Sequence, residues 1–370
     1  MRGPRGLLTF RENHMRLKIL ASAIIALVVG YSIFWHYMAG EVEDRIEIWV
    51  KGQKSQGLTI KYADLEISGF PYRMELSLSD VNIVKKGQSK TPVLFTSPAI
   101  TLIAFPWKIN HGVIISQGGK IRLGSSRSPR LTMTIGKTRA SVIIDFIGRK
   151  FQSASFIMEN VTWITGRPVR NAVPSVADEV RLHLLQAAPA SEVSGDMELP
   201  ILMKLYLAAK GVVSQQLSQQ IPGGIFGKKA DQVIIDLQLH GEKFPAFTRD
   251  DLSLWRDSGG TMTVKNLSVS SGEMDISLDG EVTLDRDLKP LGAFASRIRG
   301  IGPIVDILSR HSAFQVEPGK MILQELKRMA RSGEGGQGKG KDSLDLAISM
   351  QGGLLFLGPI PVYELVPVVE

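Results

Sequence analysis

Apolar and polar residues alternate with a period of two along most of this chain. Met74, Leu76 and Leu78 alternate with Glu75, Ser77 and Ser79; beyond Asp80 the apolar phase moves to Val81 and Ile83, which predicts a strand with a bulge or an edge there. The same signal recurs at Leu131/Met133/Ile135, Val180/Leu182/Leu184, Met203/Leu205/Leu207, Val233/Ile235/Leu237/Leu239, Met274/Ile276/Leu278 and Leu344/Leu346/Ile348/Met350. Each run puts its apolar side chains on one sheet face. Gly118-Gly119, Ser128-Pro129, Gly223-Gly224, Ser258-Gly259-Gly260 and Ser271-Gly272 separate the runs at spacings that suit antiparallel meanders. The chain closes with an apolar Leu354 to Leu357 segment after Gly352-Gly353. Pro359, Pro361 and Pro367 then rule out a terminal helix and predict a final strand.

Helical periodicity is sparse. Glu41 to Gln56 reads as a short amphipathic helix with Val42, Ile46, Trp49 and Val50 on one face, packing the start of the domain. Ser214 to Gln220 predicts one or two turns, Gly302 to Arg310 a helix, and Gly319 to Arg331 another, with Ile322, Leu326, Met329 and Ala330 at helical spacing. These are too few to cover so many one-sided strands. The fold class is therefore mainly β with a few short helices, a β-rich α+β chain: a large curved, mostly antiparallel sheet or a two-lobed β-sandwich, preceded by one transmembrane helix.

That helix is the stretch from Leu17 to Met38. Ile19 to Phe34 carries no charge, and at about 1.5 Å per residue the run crosses a bilayer core. Arg2, Arg5, Arg11, Arg16 and Lys18 precede it and Glu41, Glu43 and Asp44 follow it, so the positive-inside bias keeps the N-terminus in the cytoplasm. A cleaved signal peptide is the rival reading, but Tyr37 stands where cleavage before or near Ala39 wants a small residue. Trp35 and Tyr37 would then lie in the headgroup belt. The division is a cytoplasmic tail at 1–16, a span at 17–38 and a β-rich domain at 41–370. Within that domain, lobes at 41–222 and 223–370 are an open alternative, and 332–343 is a Gly-rich loop, solvated and flexible by composition.

Composition narrows the chemistry. With 44% hydrophobic and 22% charged residues the chain is an ordinary folded one, and with no cysteine it has no disulfide, thiolate metal site or thiol nucleophile. The net charge of +8 is concentrated in the N-terminal tail and around Lys339 and Lys341, which fits anionic headgroups better than nucleic acid. Gly333 to Gly340 matches the first part of a phosphate-binding loop, but Gly340 replaces the magnesium-binding Ser or Thr and the segment follows a helix. His14, His36, His111, His183, His240 and His311 include no metal-spaced pair; His183 and His240 fall on the polar phase of strands. Asp250-Asp251 and Asp178-Glu179 are adjacent carboxylates, and strand neighbours point to opposite faces. Asn160-Val161-Thr162 and Asn266-Leu267-Ser268 are formal glycosylation acceptors. Core packing is the default for Phe70, Phe105, Trp107 and Trp163, and Gly69 before Phe70-Pro71 allows a tight turn into a strand. No residue is nominated as catalytic, metal-binding, cofactor-binding or ligand-binding.

Gly69-Phe70-Pro71-Tyr72-Arg73, Phe105-Pro106-Trp107, Trp255-Arg256-Asp257-Ser258-Gly259-Gly260, Gly280 to Leu284 with Asp285, and Pro290 to Gly292 leading to Gly300 together resemble Domain of Unknown Function family 2125. That family consists of anchored bacterial envelope proteins, and the likeness covers Glu41 to the C-terminus. More distantly, an N-terminal anchor, a Gly-Phe-Pro strand start and repeated short strands are similar to AsmA-like envelope proteins, which implies a curved β-structure that handles phospholipid. The resemblance implies a single-pass protein of the inner membrane with its body in the periplasm. The expected function is non-enzymatic: binding or shuttling a phospholipid or other amphiphile in an apolar β-groove, without a cofactor or nucleic acid. The alternative is a structural or assembly partner of another envelope protein, with a closed β core.

Overall fold

A computed structural model of the protein describes residues 8–86, 91–105, 107–125, 128–145, 150–166, 173–186, 199–214, 229–246, 248–300, 302–310, 312–333 and 343–369. The chain begins with one long helix, α1 (Leu8–Gln53), whose stretch from Arg16 is long and apolar enough to cross a membrane. The predicted amphipathic helix at 41–56 is not separate. Ala39 and Gly40 stay helical, so the span runs on through Val42, Ile46, Trp49 and Val50, and a short 3-10 turn (Lys54–Gln56) ends it at Gly57 in the left-handed region. Arg45–Glu41 and Lys51–Glu47 pairs, one turn apart, support this emergent half.

Among the described residues eighteen strands follow in a single sheet, and every recorded pairing is antiparallel. The first ten are β1 (Leu58–Lys61), β2 (Asp64–Ser68), β3 (Met74–Lys85), β4 (Val93–Phe105), β5 (Lys108–Ser116), β6 (Gly119–Gly124), β7 (Pro129–Ile135), β8 (Thr138–Asp145), β9 (Lys150–Thr165) and β10 (Ser175–Gln186). β1 and β2 lie end to end along β3, β5 and β6 along β4, and β8 and β7 along β9. From β9 onward each strand pairs with the next: β11 (Ile201–Val213), β12 (Lys229–His240), β13 (Thr261–Ser271), β14 (Met274–Leu284), β15 (Pro290–Arg299), β16 (Ser343–Gln351), β17 (Leu354–Leu357) and β18 (Ile360–Glu364). This is the single-sheet form of the two predicted architectures. Residues 215–228, which hold the suggested lobe boundary and most of the Ser214 to Gln220 helix, lie outside the described residues, as does most of the Gly-rich loop.

Three helices close the C-terminal part. α2 (Arg249–Asp257) was not foreseen from periodicity, although Thr248 caps it by accepting from the Asp251 N–H at 3.3 Å while its hydroxyl donates to Asp251 Oδ2 at 2.6 Å. Asp250 and Asp251 therefore sit in a first helical turn, where carboxylates suit the macrodipole, and not on a strand. α2 buries Leu252 and Trp255 against Leu284 and Leu288. α3 (Gly302–Leu308) and α4 (Gly319–Gly333) match the predicted helices; with a 3-10 turn (Ser312–Phe314) they pack Val305, Leu308, Phe314, Leu323 and Leu326 onto Met274, Ile298 and Ile360 of the sheet.

Candidate functional site

On the face of β1 to β10 no such helices intervene, and there an apolar cavity of about 680 Å³ is found. Its walls are Leu76, Leu78, Val81 and Ile83 of β3, Phe95, Ile100 and Leu102 of β4, Ile114, Ile121, Ile135 and Ala140 of the short strands, and Phe156, Met158 and Leu182 of β9 and β10. Ile46, Trp49 and Val50 of α1 lie on its side. Ile60 on β1 and Leu182 on β10 share it, though a flat sheet would hold their strands roughly 29 Å apart at the usual inter-strand spacing, so the sheet curls around the space. The volume falls within the ~300–1,000 Å³ range of small-molecule sites. Among the described lining residues, polar side-chain atoms come only from Trp49, Tyr62, Ser116 and Thr138. Ser116 Oγ donates to the Gly118 carbonyl at 2.7 Å and lies 2.9 Å from Ser97 Oγ, so that hydroxyl is satisfied within the wall.

One-sided lining along long strands is made possible by a crease. Leu78 and Val81 both face the cavity, as do Ser116 and Gly119, and Ile135 and Thr138; residues three apart on a regular strand would point to opposite faces. The register explains this. Ser79 pairs with Ala99 and Val81 with Ser97, which sets Asp80 opposite Pro98, and the same reading places Gly118 opposite Pro98, Gly136 opposite Gly118 and Asn160 opposite Gly136. Asp178, Gly211 and Asp231 continue the line across β10, β11 and β12. From β3 to β12 each strand, or end-to-end pair of strands, thus carries one extra residue at the same height, so the pleat changes phase without a change of register. Asp80, Asn160 and Gly211 have φ of 48°, 51° and 61°. At Gly136 a Cβ would come within 2.5 Å of the Glu159 carbonyl oxygen, so only glycine lets the strands close there. The phase change at Asp80 was visible in the sequence; its continuation through Asn160 and Gly211 was not, because the flanking runs were read one at a time.

Charge stays off the cavity wall. By alternation Glu179 lies on the outer face of β10, where the Arg181 guanidinium, bonded at 2.8 Å, holds its carboxyl below the usual carboxylate range. At the end of the crease the Gly272 N–H donates to Asp231 Oδ2 at 2.8 Å and Lys229 lies at 3.3 Å; both hold the Asp231 carboxyl down, the backbone donor first. The predicted surface histidines behave as such: His183 Nδ1 is 2.9 Å from Ser155 Oγ, and half-buried His240 lies 3.2 Å from both the Leu199 carbonyl and the Thr263 hydroxyl. Among the described residues no group of His, Asp and Glu is arranged to hold a metal. Of the phosphate-loop match at 333–340, Gly333 ends α4 and 334–340 lie outside the described residues. Leu237, assigned by alternation to the inner face, does not line the cavity, whose last strand is β10.

Two aromatic expectations need correction. Phe70 is 45% and Trp107 67% exposed, because both sit in turns at one end of the sheet; Trp163 does pack in a core cluster, around Ala177, Ala209 and Val212. The sequence model for an uncharacterized protein conserved in bacteria, DUF2125, matches residues 35–365. The chain belongs to the DUF2125 family. The match takes in the emergent half of α1 and the whole sheet, so the helix that walls the cavity is part of what the DUF2125 model describes. No curated protein matches the chain.

Proposed function

We propose that this DUF2125 protein is a single-pass inner-membrane protein whose periplasmic sheet binds the acyl part of a phospholipid or similar amphiphile, without catalysing a reaction on it. The observation that carries this reading is the cavity on β1 to β10, walled by aliphatic and aromatic side chains and by the helix that emerges from the apolar span. Each methylene taken into such a wall from water contributes about 0.8 kcal/mol, so apolar burial alone supplies affinity and no single residue is indispensable. The absence of a carboxylate, imidazole or amine among the described lining residues supports passive binding. The charges of Arg16 and Lys18 before the span and Glu41, Glu43 and Asp44 after it support a periplasmic body.

The test is site-specific photo-crosslinking of the full-length protein in its membrane, with benzoylphenylalanine at Ile114 in the cavity or at Ser77 on the opposite face of β3. Phospholipid-mass adducts at Ile114 and none at Ser77 are expected. Leu102→Asp, which puts a charge on a cavity side chain that is already 37% exposed, should abolish the Ile114 adduct while the protein stays folded. An Ile114 position that yields only a protein adduct, or equal lipid adducts on both faces, would sink the proposal and favour the assembly-partner reading.

A further inference from the structure

The turn between β2 and β3 is packed against the membrane helix itself. The Tyr31 hydroxyl donates to the Pro71 carbonyl, and the Phe70 ring lies 6.2 Å from the Tyr31 ring, 5.5 Å from Trp35 and 5.7 Å from His36, measured between centroids. Trp35 is only 5% exposed in consequence. Gly69, at φ 97°, accepts from the Arg73 N–H at 3.1 Å and holds the turn shut; a Cβ there would meet the Arg73 carbonyl oxygen at 2.8 Å. Tyr31 lies within the span at 17–38, ~10 Å along the helix from its outer end, and Trp35 lies ~5 Å from that end. Whatever touches both residues lies at the depth where hydrocarbon gives way to headgroups.

Register carries a second turn to the same level. Met74 pairs with Ala104 and Phe105 with Lys108, so Phe105 and Trp107 stand at the same end of the sheet as the turn at 69–73. Tyr72 is 73% and Trp107 67% exposed, and Trp107 stacks at 5.8 Å on Phe105. Lys108 and Lys150 are exposed at the same end of the sheet. Exposed aromatic rings beside lysines are what an interfacial surface presents: amphipathic rings favour the headgroup layer and cations its phosphates.

We infer that this end of the sheet is seated in the headgroup–acyl boundary of the membrane that α1 crosses, with Tyr72 and Trp107 inserted and the Phe70 turn pinned to the helix. The occupant of this surface is lipid, and the inference rests on the reading of α1 as a membrane span. Its consequence concerns the cavity. Leu76 and Leu102, which pair across β3 and β4, begin the cavity wall only two residues, ~7 Å, beyond the Met74–Ala104 pair. An acyl chain reaches that wall from the bilayer without crossing open water.

The absence of cysteine makes the test direct. Single variants Tyr72→Cys, Trp107→Cys, Lys86→Cys and Ile25→Cys of the full-length protein are spin-labelled in vesicles of phosphatidylethanolamine and phosphatidylglycerol. Collision with dissolved oxygen and with a water-soluble nickel chelate is then measured at each site. Labels at 72 and 107 are expected to show a nickel accessibility between those of position 25 and position 86, with oxygen accessibility raised over that of 86, while position 86, at the far end of β3, stays open to nickel. Both native side chains are exposed, so either label alone reads the surface without disturbing a core. Labels at 72 and 107 as open to nickel as 86, with 25 still shielded, would overturn the docking and leave the span intact. A water-exposed label at 25 would overturn the span and the docking with it.

Discussion

The two halves of the sheet share one alternating pattern and put it to opposite uses. Over β14 to β18 the apolar face is filled by α3, α4 and the 3-10 turn, leaving Phe314 2% and Ile360 3% exposed. Over β1 to β10 the equivalent face is approached, among the described residues, only by the last turns of α1, and a cavity remains. The cause lies in the connections. In the first half several strands are joined by tight turns, at 117–118, 136–137 and Gly69–Arg73, and none of these turns places a side chain in the cavity wall. In the second half the β12–β13 and β15–β16 connections contain helices that bring Leu252, Trp255, Leu323 and Leu326 to the sheet. Alternation makes an apolar face, and the loops decide whether the protein fills it or leaves it for something else.

The largest expected effect is in the filled half. Phe314→Ala should cost about 3–5 kcal/mol in denaturant unfolding, since it empties a closed site, while the folded fraction keeps its lipid adduct at Ile114. A lost adduct in that variant would show that the halves are not independent. Next comes the crease that crosses β3 to β12. Gly211→Ala should cost ~1–3 kcal/mol, because alanine is strained at φ 61° and its Cβ would stand 1.9 Å from Asp178 Oδ2. Unchanged stability there would mean that β10 and β11 do not fold at that point.

Leu78→Ala in the open half should cost only ~1 kcal/mol, because the side chain is half-buried against an unfilled space. Its clearer effect should be a weaker Ile114 lipid adduct, the reverse of the Phe314 variant. The smallest effect is expected at Asp231. Its carboxyl is held below its ordinary 3.8, so the stability it contributes is present above that value and is lost as pH falls through the lower folded value. Asp231→Asn should therefore lower Tm slightly at neutral pH, with the difference from wild type closing below about pH 3.8. A difference that persists in acid would assign the effect to the amide's own packing and not to the charge.

Much of this was legible in the sequence. The uncharged run from Ile19, the period-two stretches and the helices beginning at Gly302 and Gly319 are local patterns, so local reading found them. The helix at Arg249–Asp257 was missed because its signal is a capping box with only two buried residues, Leu252 and Trp255, and too short a stripe to show periodicity. Phe70 and Trp107 were assigned to a core because aromatics in strand-like stretches usually pack; their exposure depends on both lying in turns at one end of the sheet, which no local pattern records. No ligand-contacting residue was nominated, and the cavity wall explains why: it is assembled from short apolar segments that are individually ordinary.

The sequence by itself determined that the chain has an apolar helix long enough to cross a membrane, that it forms strands with one apolar face, and that it lacks cysteine chemistry, since hydropathy and alternation act over a few residues at a time. Only the tertiary structure decided that the strands form one curled sheet, that their extra residues align in a crease from Asp80 to Asp231, and that α1 lies along the cavity. Those facts depend on which residues stand opposite one another across distant strands. That pairing is selected by the energy of the whole sheet, where a slip of one position would turn every apolar side chain to water.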